Sequence, residues 1–267
     1  MAKLPEHDVS PQEGIVAEGG RTAVRLMTWN IHGGVGLDGR RDLERIVSVV
    51  RRHAPDIVAL QEVGGRGGKP GAAEAFVFLA EMLGSNIAES RVVTASDGDY
   101  GHVVISRWPL DRPTCHDLSW RRREPRAAVE ATAQTPAGPL RLVAAHLGLS
   151  FAERRHQAAL LSDIVLSGPH PTVLLGDFND WIWRGSVQST LNRLMPGHSH
   201  AKTFPSFCPL FALDRIYCRP TSALIRSWTD KADYGASDHL PVIAEVAVGS
   251  EAAASLRRQP SRLTLQG

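Results

Sequence analysis

Between residues 21 and 249 the chain alternates apolar runs with polar, glycine- or proline-marked breaks, and the period of each run predicts its element. AVRLMTWNI is β-branched and aromatic enough for a strand ending at Asn30, ahead of the glycine-rich loop HGGVGLDGR. Leu43, Ile46, Val47 and Val50 recur at helical spacing, and Pro55 closes that helix before the strand DIVALQEV, which ends at Glu62. A second helical segment from Ala73 to Leu83 stops at Gly84. The runs RVVTA, GHVVISR, AAVEATA and LRLVAAHL then predict a series of antiparallel strands. Ser150 with Glu153 matches a capping box, opening a helix whose buried stripe is Leu160, Leu161, Ile164 and Val165 and which Pro169 and Pro171 end. TVLLG leads to Asp177, a loop rich in Trp and Gly follows, and ALDRIYC and PVIAEVAV supply the last strands.

DIVAL and TVLLG are apolar without alternation, so both faces of their sheets are covered; AAVEATA alternates more. Helices between some strands and hairpins between others predict mixed sheets, and two sheets packed together under outer helices satisfy both facts. One domain over residues 21–249 is expected, preceded by a loose tail at 1–20 and followed by a polar, disordered tail at 250–267.

Composition narrows the setting. At 267 residues and 43% hydrophobic content the chain supports a sizeable core, and 30 basic against 28 acidic residues leave a net charge of +2, too little for a general field attracting nucleic acid or acidic membranes. Three cysteines without C-x-x-C spacing argue against a disulfide framework or zinc site and fit a reducing compartment. The first twenty residues lack the apolar stretch of a signal peptide, and no run of about eighteen apolar residues predicts a membrane span. A soluble, cytoplasmic monomer is expected.

Polar groups recur at strand ends: Asn30, Glu62, His146, and Asp177 with Asn179, while Asp238 and His239 follow the loop GAS before the last strand. Side chains at that edge are fixed by the sheet yet face a crevice. Carboxylates and carboxamides form a hard-oxygen set suited to Mg²⁺, or alternatively Mn²⁺, and poorly suited to zinc. Together with histidines they could neutralise a phosphoester, activate water and stabilise the leaving oxygen.

TWNIHGG, LQEV, YGHVVISRWPL, AAHLGLS, LLGDFND, LDRIYC and SDHLPV, in order from about Arg25 to Val246, resemble the successive motifs of the endonuclease/exonuclease/phosphatase (DNase I-like) superfamily. The resemblance implies a four-layer α/β sandwich and metal-dependent hydrolysis of phosphoric esters. It implies Glu62 as principal Mg²⁺ ligand, with Asn30 beside it holding water or phosphate and Asp238 completing the metal neighbourhood. Asp177 and Asn179 would position the attacking water and the phosphate. His239 would be the general base or phosphate-charge stabiliser, oriented by Asp214, and His146 would contact phosphate or assist the leaving group. His102 stands where the family more often carries Asn, and is expected at the phosphate; Arg126 is expected as a phosphate clamp.

Taken singly, Asn30 or Glu62 could be an ordinary strand end, and Asp214 an ordinary surface pair with Arg215; their joint order speaks against that. His32, His53, His156, His170, His198 and His200 are read as surface or loop histidines. Trp181 and Trp183 either pack their loop or form a rim gripping an apolar substrate or interface. The run Arg121, Arg122 and Arg123 beside Trp120 is ordinarily a solvated loop, and the glycine-rich loop lacks the G-x-x-x-x-G-K spacing of a nucleotide-binding loop. WNIHGG, ERRHQ, TFPS and ALDRIYC resemble bacterial hydrolases of the superfamily's lipid-associated branch more than its abasic-site endonucleases, and that resemblance implies a small-molecule or lipid-headgroup phosphoester as substrate. A DNA or RNA nuclease with the same chemistry is the alternative, and a catalytically silent binding module is the alternative of another class.

Overall fold

The computed structural model describes residues 16–17, 21–64, 74–95, 98–168, 170–181 and 186–249. In chain order the elements are β1 (Val16–Ala17), β2 (Arg21–Asn30), α1 (Leu43–His53), β3 (Ile57–Gly64), α2 (Ala75–Leu83), β4 (Asn86–Ala95) and β5 (Gly98–Ser106). There follow β6 (Leu110–Asp117), β7 (Ala127–Thr135), β8 (Gly138–His146), α3 (Phe151–Leu166), β9 (Thr172–Asp177) and α4 (Ser186–Leu194). The chain closes with β10 (Gly197–His198), β11 (Asp214–Arg219), β12 (Leu224–Trp228) and β13 (Val242–Ala247).

One sheet runs β12-β13-β2-β3-β5-β4 with β1 added to β2, and the other runs β10-β11-β9-β8-β7-β6. Each contains one parallel pair, β2 with β3 and β8 with β9. Those are the pairs joined through α1 and α3, because parallel neighbours need a crossover. α1 starts where the Asp42 side chain accepts the Arg45 N–H and ends at Ala54, which is left-handed ahead of Pro55.

Strand alternation assigns the layers. Val24 and Leu26 of β2 and Val242 and Ala244 of β13 meet Leu142, Ala144, Val173 and Leu175 of β8 and β9 between the sheets. The opposite face of the first sheet, with Met27, Trp29, Val58 and Leu60, packs on Ile46, Val50, Phe76 and Leu79 of α1 and α2. Val143, Ala145, Leu174 and Tyr217 of the second sheet pack on Leu161, Val165, Val187 and Leu191 of α3 and α4. The result is the expected four-layer α/β sandwich.

Several details differ from the sequence reading. β6 and β12 are edge strands without a fully buried residue, β6 mostly exposed and β12 exposed or partly covered, so they carry no apolar alternation. The stretch after Asp177 read as loop includes α4, whose Val187 and Leu191 are buried. The buried face of α3 begins with the polar residues Glu153, Arg154 and Gln157, while Leu160 and Ile164 are only partly covered. Val16–Ala17, within the segment read as a loose tail, pairs with Arg21 and Thr22. The rest of 1–20, Ala73, Pro169 and the tail 250–267 lie outside the described residues.

Candidate active site

The inward-facing stripes of both sheets turn polar at the same end. In β2 the stripe reads Val24, Leu26, Thr28, Asn30; in β8 it reads Leu140, Leu142, Ala144, His146; in β9, Val173, Leu175, Asp177. Register aligns these ends: Asn30 opposes Gln61 and Gln61 opposes His102 across the first sheet, while His146 opposes Asp177 and Asp177 opposes Asp214 across the second. Two polar rows therefore face each other at the sandwich edge.

Glu62 joins this site through a backbone irregularity. The β3–β5 register shifts between Gln61 and Val63, and Glu62 has φ 56° there. A bulge of this kind re-aims a side chain that strict alternation would send to the other face. Asn30 Nδ2 donates to Glu62 Oε1 at 3.1 Å and, across the sheets, to Asp177 Oδ2 at 2.9 Å.

His239 and Asp214 form a buried pair, with Nδ1 to Oδ2 at 2.7 Å, and Thr203 Oγ1 donates to the same carboxylate oxygen at 2.6 Å. The His239 backbone is pinned by Trp29 Nε1, which donates to its carbonyl at 2.8 Å. Ser237 Oγ donates to the Asn30 carbonyl at 2.8 Å, tying the loop of Asp238 and His239 to the end of β2. Burial alone would depress the His239 pKa, but Asp214 and Asp177 outweigh it and raise it to about 10. The free Nε2 faces Asp177 Oδ2 at 3.9 Å. Burial, then the neighbouring Asp214, pushes Asp177 up to about 6, against the His239 charge and the Asn30 and Asn179 hydrogen bonds.

Arg126 and His102 sit differently from expectation. Arg126 is buried, and its NH1 lies 3.0 Å from His146 Nδ1, so its guanidinium holds His146 rather than facing a crevice. Arginine cannot accept, hence Nδ1 is the acceptor and Nε2 of His146 carries the proton. That proton points among Asp177 Oδ2 at 3.6 Å and Glu62 Oε1 at 3.8 Å. Asn179 Nδ2, 3.3 Å away, donates instead to the Leu147 carbonyl at 2.9 Å. His102 is sealed between the sheets, 2% exposed and hydrogen-bonded to the Ala144 backbone. Burial, reinforced by Arg126, lowers its pKa to about 4, so it stays neutral and out of reach of solvent.

The sequence reading missed Thr203, Ser237 and Trp29, which bond to the His239–Asp214 pair or its backbone, and His32. His32 Nδ1 lies 3.5 Å from Asp238 Oδ2 and 3.9 Å from Glu62 Oε2. Thr203 and Ser237 lie inside TFPS and SDHLPV, where their hydroxyls were the available signal. His53, His156 and His198 are packing or pairing groups, against Asp233, Trp120 and Tyr217. Arg121 lies over the Trp120 ring at 4.8 Å, and Trp181 is half-exposed and edge-on to Phe211, while Trp183 lies outside the described residues.

The donor set fits a divalent cation. Four carboxyl groups, Glu62, Asp177, Asp214 and Asp238, converge with the His32, His146 and His239 rings at this edge. Asp177, Asp214 and His239 have ligand atoms within 4.8 Å of one another, but Asp214 is fully enclosed and already hydrogen-bonded to His239. Glu62 and Asp238, with side chains 21% and 33% exposed, offer oxygens that are open to an entering ion.

A family model described as the Endonuclease/Exonuclease/phosphatase family matches residues 27–239. The uncharacterised protein YbhP of Escherichia coli is 32% identical over 246 residues, covering 83% of this chain and 95% of that protein. Among solved structures, an endonuclease/exonuclease/phosphatase from Beutenbergia cavernae superposes with a TM-score of 0.69 at 23% identity, over 86% of this chain and 72% of that one. A mannosyl-6-phosphatase of Bacteroides thetaiotaomicron superposes with a TM-score of 0.63 at 17% identity, over 84% of this chain and 99% of that one.

Proposed function

The chain belongs to the endonuclease/exonuclease/phosphatase family, and from that premise we propose that it is a divalent-metal-dependent phosphoesterase acting on a small-molecule or lipid-headgroup phosphoester. The observation that carries this reading is the facing of the His239–Asp214 pair by Asp177, Asn30 and Glu62 at one sandwich edge. Glu62 and Asp238 would hold Mg²⁺ or Mn²⁺, which supplies charge neutralisation to the phosphoryl oxygens when bound.

The remaining steps fall to the chain's own groups. Asp214 orients the His239 ring by accepting from Nδ1, leaving Nε2 to meet the phosphate or the attacking water beside Asp177. With its pKa raised, His239 is charged in the metal-free protein at neutral pH, which suits phosphate-charge stabilisation. Asp177, held by Asn30 and the Asn179 N–H, orients the water. His146, its Nε2 proton fixed by Arg126, donates toward the leaving oxygen.

Apolar side chains around this edge support a substrate with an apolar portion: Leu149, Phe151, Trp181, Phe207 and Leu210 are all exposed, in loops or first turns that follow or precede site strands. The test is hydrolysis of p-nitrophenyl phosphate, bis-p-nitrophenyl phosphate, phospholipid and plasmid DNA with Mg²⁺ or Mn²⁺. His239→Ala should lose on the order of a hundredfold or more in kcat while metal still binds; near-normal turnover in that variant would overturn the assignment.

A further inference from the structure

Resting on the phosphoesterase reading above and narrowing its substrate, we propose that the rim of the active site is a docking face for an anionic lipid leaflet, from which the enzyme takes a phosphoester headgroup. Among the described residues ten large apolar side chains are exposed, and seven of them lie in loops or a first helical turn at the active-site end; Val77 on α2, Leu166 at the end of α3 and Ile225 on β12 are the rest. Phe207 and Leu149 are 67% and 64% exposed, too open to be packing groups. Single exposed apolar residues are ordinary, but their concentration around one cleft marks a surface that is covered in use.

Hydrogen bonds and ring contacts make these loops one rim. The Leu37 N–H donates to the Gly235 carbonyl at 3.2 Å, which sets Leu37 beside Tyr234. The Ser206 N–H donates to the Asp238 carbonyl at 2.7 Å, and its hydroxyl reaches the Tyr234 and Ser237 carbonyls at 2.8 and 2.7 Å. The loop of Phe207 and Leu210 is thereby seated on the loop that carries His239. In the same loop Phe204 lies against the His239 ring, centroids 4.9 Å apart, and Phe211 meets Trp181 at 6.3 Å. Arg154 joins Leu149, whose carbonyl it binds, to the Asp180–Trp181 segment.

Charge selects the occupant. In the loops and first turns of α3 at this end of the second sheet, the exposed charges among the described residues are all positive: Arg121, Arg122, Arg123, Arg155 and Lys202. Trp120 lies on His156 at 4.5 Å, bringing the arginine turn against the start of α3, where Phe151 stands. The acids nearby are Asp117, which accepts the Ser119 N–H from the end of β6, Glu124, paired with Arg126, and the buried Glu153 and Asp180. This patch is local, which a net charge of +2 does not report. An anionic leaflet attracts such cations while its acyl boundary takes up the apolar side chains beside them. A second copy docked rim to rim would bring like charges together. Nucleic acid would use the arginines but not Leu37, Leu149 and Leu210, which offer no face for a base to stack on.

The experiment is co-sedimentation of the full chain, in EDTA, with vesicles of phosphatidylcholine alone and of equal parts phosphatidylcholine and phosphatidylglycerol; EDTA keeps binding separate from hydrolysis. Wild type should bind the mixed vesicles about tenfold or more tighter than the neutral ones. Phe207→Ser with Leu210→Ser, and separately Arg121→Ser, Arg122→Ser and Arg123→Ser together, should each weaken that binding on the order of tenfold or more. Leu166→Ser, at the far end of α3, should bind as wild type, and all variants should melt with wild type because the replaced side chains are exposed. Failure to sediment with either vesicle, or rim variants that bind as wild type, overturns the inference. So does self-association that the Phe207→Ser, Leu210→Ser variant loses, in a chain that binds no vesicle. Metal-dependent turnover of soluble bis-p-nitrophenyl phosphate by wild type then leaves the phosphoesterase reading standing. Vesicle binding lost in the rim variants, by a chain that turns over no phosphoester, supports the docking face and overturns that reading instead.

Discussion

At the scale of single residues, His239 carries the charge balance of the site. Its pKa, raised to about 10 from 6.5 because Asp214 and Asp177 outweigh burial, links protonation to folding. A group whose folded pKa is raised stabilises fully below its unfolded pKa and loses that contribution as pH rises through the folded one. The metal-free protein should therefore lose stability between pH about 6.5 and about 10, by at most ~1.4 kcal/mol per pH unit from this group. Calorimetric melting of wild type and His239→Gln in EDTA checks this: the wild-type advantage should shrink over that interval, and parallel curves would contradict it. The convergence of Asn30, Glu62, His146 and Asp177 was legible because strand ends announce them in sequence, whereas the His239–Asp214 pairing was expected only from the motif resemblance. His32 was not, since its approach to Asp238 depends on a left-handed turn of which Gly33 and Gly34 give only a hint. The burial of Arg126 and His102 was equally hidden, because nothing local says that a polar residue on an inward stripe will be closed over.

At the scale of elements, the first turns of α3 hold the site loops in place. Arg154, 1% exposed, donates to the Leu149 carbonyl at 2.6 Å and lies 3.7 Å from buried Asp180. Gln157 accepts the Gly148 N–H and donates to the Leu118 carbonyl, joining the loop after His146 to the loop before Arg126. Arg154 is thus a positioning residue for both His146 and the Asp177–Asp180 segment. Replacing it with Leu strands a buried carboxylate and should destabilise the protein by ~3–5 kcal/mol. Urea denaturation measures this directly; a change within the range of an ordinary surface substitution would contradict the role. The helical period of α3 could be read from its apolar stripe, but its polar buried face could not, because its partners come from loops distant in sequence. β6 and β12 escaped for the opposite reason: exposed edges impose no alternation on their side chains.

At the scale of the whole molecule, no helix among the described residues is long and apolar enough to cross a membrane. A net charge of +2 supplies no general field to draw in a nucleic-acid backbone. Turnover of a small diester should accordingly vary weakly with salt, and binding to single-stranded DNA should be weak. A log–log salt dependence of DNA affinity steeper than about −4 would favour the nuclease reading instead. The central claim is metal-dependent phosphoester hydrolysis with Glu62 as a cation ligand. Its most direct test is hydrolysis of bis-p-nitrophenyl phosphate in EDTA, Mg²⁺ and Mn²⁺ by wild-type and Glu62→Ala protein. Turnover that appears only with metal and falls on the order of a hundredfold or more in the variant is the predicted result; equal turnover in EDTA, or a Glu62→Ala protein as active as wild type, would contradict it.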